Sequence, residues 1–124
     1  MNNLSDYVKS WQQESDYSWN SFWLMFGSFL DYFYKIKDLN ILKDEPNYDN
    51  NVSSEIKSFV AASVDYLCND NNTPDWVKEK KYILKDPFFP SNVTGSIKVI
   101  MLIESPIEFK SRNIYVTSSV LSRL

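Results

Sequence analysis

From Trp19 onward, apolar residues recur at 22, 23, 26, 29, 30 and 33, the spacing of one stripe on a helix. Asp16 or Ser18 stands where the first turn needs a side-chain acceptor. Leu24, Met25 and Tyr32 add apolar groups on the other side, so water reaches only a narrow strip. Such a helix is either the centre of a domain or half of an interface. If its outer side stays apolar in the folded chain, a homodimer is expected. A second stripe, Ile56, Phe59, Val60, Val64 and Leu67, follows a capping Ser53, and Ala61 and Ala62 allow close packing against a neighbour.

Shorter elements surround these two. Ser5 precedes apolar positions 7, 8 and 11, which predicts a short helix. Residues 40–51, with Pro46 and several Asn and Asp, read as a loop. The run Asn69-Asp70-Asn71-Asn72 ends the second long helix, because short polar side chains bond to nearby backbone. Thr73-Pro74-Asp75 then opens a short helix carrying Trp76, Val77 and several lysines, with Thr73 as cap and Pro74 in the first turn. Residues 97–103 are apolar and β-branched enough for a strand. A lone strand in a helical chain would leave its backbone unpaired, so a helix is expected. Ser105-Pro106-Ile107-Glu108 has the form of a capping box opening another short helix, 113–116 is extended, and Thr117 or Ser118 caps a last turn bearing Val120, Leu121 and Leu124.

The expected fold is therefore all-α: residues 1–124 as a single irregular bundle of about five to six helices, with a short extended segment near the C-terminus. Composition agrees. With 124 residues, 44% of them hydrophobic and 16% aromatic, the chain can build one core of large flat side chains. Net charge is −3 and uneven: residues 1–75 hold five lysines against twelve acids, residues 76–124 eight cations against four acids. Only two cations are Arg, Arg112 and Arg123, so bidentate phosphate or base recognition has little to work with, and direct nucleic-acid binding is not expected. Nor is a membrane partner, since the longest uncharged run, Tyr17–Leu30, is 14 residues and too short to span a bilayer.

The chemistry available is narrow. The chain has no His and one cysteine, Cys68, which removes His-based metal sites, Ser-His and Cys-His dyads and internal disulfides. Residues 1–6 lack the basic and apolar regions of a secretory signal, and a reducing cytoplasmic setting is expected. Cys68 near a helix C-terminus is a poor nucleophile, because the negative end of the dipole raises a thiol pKa. Gly27 and Gly95 stand too far apart to form a phosphate loop. Paired carboxylates remain, yet helical phase singles out no pair: Asp31 and Asp65 each neighbour a Tyr and read as solvated edges or tyrosine hydrogen bonds. Arg112 is placed to pair with Glu104 or, at i, i+4, with Glu108. No cofactor is expected.

In the C-terminal half, Thr73-Pro74-Asp75-Trp76-Val77, the stretch Tyr82 to Phe89 and the run Glu104 to Val116, continuing through Leu121-Ser122-Arg123, form a recognisable set. Over about residues 54–124 the chain resembles the C-terminal domain of bacterial regulator-like proteins that often carry an Xre-type helix-turn-helix and are found beside nucleotidyltransferase-like genes. The resemblance implies an antitoxin-like or regulatory protein in a two-gene module, with a protein partner such as a nucleotidyltransferase-like toxin. It supplies no catalytic residue. The first 50 residues are aromatic and acidic and contain no recognisable helix-turn-helix.

The expected function is thus a non-catalytic cytoplasmic binding protein, antitoxin-like in character. A phage- or mobile-element-encoded inhibitor of a host protein is the alternative, and a small acid-dependent enzyme the third. The candidate partner-binding residues are Trp23, Phe26, Trp76, Arg112, Tyr115 and Arg123, since Trp, Tyr and Arg dominate interface hot spots.

Overall fold

Ser18 accepts a hydrogen bond from the Ser21 amide at 3.2 Å, and Asp16 in turn accepts from the Ser18 amide at 3.0 Å. These two acceptors start the long aromatic helix. The computed structural model describes residues 3–14, 16–90 and 95–122. Within them lie five α-helices: α1 (Leu4–Glu14), α2 (Trp19–Ile36), α3 (Ser54–Cys68), α4 (Ser96–Glu104) and α5 (Ile107–Lys110). Single 3-10 turns occur at Leu39–Leu42, Asp75–Lys78 and Lys80–Tyr82, and there is no sheet among the described residues. The domain is all-α.

α2 and α3 form as their stripes predict. Ser53 caps α3 by accepting from the Ile56 amide, and each helix ends on a left-handed residue, Lys37 (φ 52°) and Asn69 (φ 47°), whose amide reaches back one turn. Down α2 the rings of Phe22, Phe26, Phe29 and Phe33 stack in succession, and all four are buried. Phe59 of α3 enters this ladder. Its centroid lies 5.1 Å from Trp23, 5.8 Å from Trp19 and Phe26, 5.9 Å from Phe22, and 5.5 Å from Phe109 of α5. One side chain therefore joins three helices into one core. α1 packs on α2, while α3 packs on α5 and on the 3-10 turns after residue 74.

Elsewhere the local signals resolve differently. α1 begins one residue before Ser5, and its cap is a reciprocal pair: Asn3 accepts from the Asp6 amide at 2.8 Å and Asp6 accepts from the Asn3 amide at 3.2 Å. The loop expected over 40–51 opens with the 3-10 turn at Leu39–Leu42, which Asp38 caps through the Asn40 amide. Thr73 caps nothing, and its hydroxyl is buried without a partner. The helix expected after it is two 3-10 turns separated at Glu79, where the backbone turns extended (φ −67°, ψ 141°). The Ser105 capping box does not form either, because its hydroxyl is drawn away from α5 to Met101 and to Val116, eleven residues on.

Residues 96–104 are helical, as expected, and the extended C-terminal segment finds a partner. Phe88 and Ile114 form a single parallel bridge, with the Phe88 amide donating to the Asn113 carbonyl and the Tyr115 amide donating to the Phe88 carbonyl, both at 2.9 Å. The last turn, 118–121, is held to α2 by the Tyr34 hydroxyl, which donates to the Leu121 carbonyl at 2.8 Å. Leu124 lies outside the described residues.

Candidate interaction surface

Most of the candidate contact residues serve the interior. Phe26 is fully buried in the ring ladder, and Trp76 is buried with its indole N–H donating to the Lys43 carbonyl at 3.0 Å. Both are out of a partner's reach. Trp23 is half-buried between Trp19, Phe22 and Phe59. Tyr115 is half-buried, its ring 5.4 Å from Phe89 and its hydroxyl donating to Asn113. Arg123 lies outside the described residues.

Arg112 is only 4% exposed. Neither Glu104 nor Glu108 pairs with it through a carboxylate. Its guanidinium lies 3.1 Å from the Asp65 carboxylate of α3, donates 2.6 Å to the Val77 carbonyl, and reaches the backbone carbonyl of Glu108. A planar fork suits these three acceptors because its donors are spread over separate nitrogens, whereas those of a lysine radiate from one. Asp65 is thus a structural ion-pair partner.

A second polar cluster surrounds a cleft of about 390 Å³ lined by Glu45, Tyr48, Lys57, Lys81 and Tyr82, among others. The Tyr82 hydroxyl donates to Glu45, and Lys81 bridges Glu45 at 2.9 Å and Glu79 at 3.0 Å. Burial opposes ionisation of Glu45, but the Tyr82 hydrogen bond and the Lys81 ammonium outweigh it and hold the carboxyl below its ordinary value. Burial first, and Glu45 second, push the Tyr82 phenol far up. Tyr48 is raised by burial, then by Tyr82 and Glu45, and its hydroxyl is buried with no partner. The cluster clamps the 43–48 loop to the second lysine-bearing turn. Cys68 is buried, and burial followed by the Asp65 charge pushes its thiol up, so it is a poor nucleophile.

The outer side of α2 does not supply the apolar surface its composition suggested. Leu24 is highly exposed, but Ser28, Asp31 and Lys35 share that side and Met25 and Tyr32 are half-buried. The surface lies on α4. Met101 is the buried residue of this helix, whereas Ile97, Val99, Ile100, Leu102 and Ile103 are between 42% and 69% exposed, and Ile107 at the start of α5 is 68% exposed. At 100° per residue, Val99 and Ile103 stand almost opposite Met101, with Ile100 and Leu102 on either side. Among the described residues, six of the nine exposed large hydrophobics fall within these eleven positions, which makes them a patch rather than scatter.

α4 is held at few points. Gly95 precedes it at φ 63°, ψ −134°, a conformation that only glycine adopts without strain, and no side chain caps its first turn. Lys98 lies 4.9 Å over the Phe89 ring, Lys110 donates to the Ile103 carbonyl at 3.0 Å, and Ser105 donates to the Met101 carbonyl and accepts from the Val116 amide at 2.8 Å. The sequence pattern found the helix but carried no sign that it would face water. Among the described residues no three of Cys, Asp and Glu converge as metal ligands, and no helix is long and apolar enough to cross a membrane. No protein-family model, no curated protein and no solved structure matches this chain.

Proposed function

We propose that this protein is a non-catalytic binding module that engages another protein through the aliphatic face of α4. The exposure of Val99, Ile100, Leu102 and Ile103 on one short helix carries the proposal, because monomeric domains rarely leave so concentrated an apolar patch in water. The chemistry of the rest of the chain is compatible with it: there is no His, the one thiol is buried, and the buried Arg112 is occupied by structural acceptors. The antitoxin-like role implied by the C-terminal motifs is the form in which we propose it, with a cytoplasmic setting that keeps Cys68 reduced.

Co-expression with the product of the adjacent gene, followed by affinity capture, tests this. The expected result is a complex at micromolar concentration that is lost in Val99→Asp and Ile103→Asp while the helical far-ultraviolet circular dichroism of the chain and its cooperative thermal unfolding persist. No complex, or a complex indifferent to both substitutions, overturns the proposal.

A further inference from the structure

We infer that α4 is a hinged strap: residues 96–104 detach and melt as one unit while the rest of the domain stays folded. The mechanical part of this inference stands on the chain alone, and only its use in binding rests on the function proposed above. Attachment supports it first. Among the described residues, no side chain of α4 belongs to the contiguous core or packs against it, and Met101 is buried outside that core. The close helix packings, α1 on α2 and α3 on α5, leave α4 out. Besides Met101, what fastens the helix is Lys98 over the Phe89 ring, Lys110 on the Ile103 carbonyl and the Ser105 hydroxyl on the Met101 carbonyl. The first two are single contacts at the surface, where water competes for both groups. Detachment of α4 therefore leaves Phe59 and the ring ladder of α2 intact.

The joints support it next. Gly95 has open space where a side chain would stand, so the backbone before α4 can turn without a clash. At the other end Ser105 and Pro106 are both extended (ψ 137° and 146°), and Pro106 has no amide hydrogen to carry the helical ladder into α5. Ser105 stays pinned to Val116, which fixes the pivot on the body side. Between the joints the helix is weak in itself. It has nine residues, no side-chain cap, and the β-branched Ile97, Val99, Ile100 and Ile103. Lys98 lies in its first turn and Glu104 in its last, each of the wrong sign for the helix dipole. Off the body such a segment does not keep its turns, so detachment and melting are one event. A partner that takes its apolar side chains must order it again, which couples binding to folding of this segment.

The test is native-state hydrogen exchange of the purified chain, read by mass spectrometry across urea concentrations below the unfolding transition. The α4 amides are expected to exchange together, at least about tenfold faster than those of α2 and α3 once intrinsic rates are divided out. Their rate should rise with urea, but less steeply than the rates in α2 and α3, because less surface is exposed. Phe59→Leu weakens the core that stays folded, so it should speed exchange in α2 and α3 and leave α4 unchanged. If α4 follows the urea dependence of α2 and α3, or accelerates with them in Phe59→Leu, it opens only with the core and the inference is overturned. Graded exchange along α4 with no urea dependence overturns it too, since that is fraying from an end. Should Phe59→Leu fail to fold, the wild-type urea series decides. Slower α4 exchange on capture of the adjacent gene product supports the coupling of binding to order. A complex that leaves α4 exchange unaltered sinks the function proposed above and leaves the strap standing.

Discussion

The Arg112 guanidinium, from the turn after α5, and the Asp65 carboxylate of α3 stand 3.1 Å apart, with Arg112 only 4% exposed. Forty-seven positions separate them in the chain, and the contact joins the C-terminal segment to the central helix. Arg112 also holds the Val77 carbonyl at 2.6 Å, so the 3-10 turn bearing Trp76 is tied into the same point.

Removing one member of this pair leaves the other charged and nearly dry. Asp65→Ala is expected to cost about 3 to 5 kcal/mol, and Arg112→Lys less, because an ammonium keeps the charge but gathers its donors on one nitrogen and loses the fork's reach to the two carbonyls. The double change Asp65→Leu with Arg112→Met should recover much of that loss. Urea midpoints at constant slope measure each term. An Asp65→Ala penalty below about 1 kcal/mol would mean that the pair behaves as a solvated surface bridge.

Phe59 touches four rings of α2 and one of α5, so truncating it opens a cavity that no single neighbour can fill. Phe59→Ala is expected to destabilise by about 3 to 5 kcal/mol. Phe59→Leu keeps most of the volume and should cost less. Equal losses for the two substitutions would show that ring geometry, not filled space, dominates at this position.

These two sites also mark what was legible in the sequence. Phe59 sits on a stripe whose period and caps are local properties, so α2 and α3 could be read directly. Arg112 was read against Glu108, four residues away, because a sequence window sees only neighbours, whereas the partner chosen by the fold lies on another helix. Ser105 failed as a cap for the same reason, since Val116 offers its hydroxyl a buried donor from outside the window. Thr73-Pro74-Asp75 had the chemistry of a helix start, but the extended backbone at Glu79 interrupts the helix after one turn. The apolar run at 97–103 reads as a helix and forms one. Its exposure is set by where the chain places it, which composition does not encode.

Ser105 is buried; its single hydroxyl proton is shared between the Met101 and Val116 carbonyls, and its oxygen accepts from the Val116 amide at 2.8 Å. Ser105→Ala therefore orphans a buried amide and is expected to cost about 1 to 3 kcal/mol. Amide hydrogen exchange at Val116 should accelerate more than exchange within α2. Uniform acceleration across the chain would mean that the hydroxyl serves global stability without specifically holding α4 to the C-terminal segment.

Glu45 at one end, and the buried Tyr82 and Tyr48 phenols at the other, make stability fall at both ends of the pH scale. Glu45 titrates below its ordinary value of 4.5 in the fold, so its contribution is present above that value and is lost as pH drops through the folded one. Tyr82 and Tyr48 titrate above their ordinary value of 10.0, so theirs is complete below that value and is lost as pH climbs beyond it. Tyr82→Phe removes one source of the alkaline loss and one donor to Glu45. It is expected to cost about 1 kcal/mol at neutral pH, to flatten the decline above pH 10 without abolishing it, since Tyr48 remains, and to shrink the acid decline, since losing this donor brings the Glu45 carboxyl back toward its ordinary value. Urea midpoints across the pH range, with tyrosinate absorbance followed in parallel, read all three effects. If the wild-type and Tyr82→Phe profiles run parallel at both ends, then Tyr82 is not the group through which the cleft responds to pH.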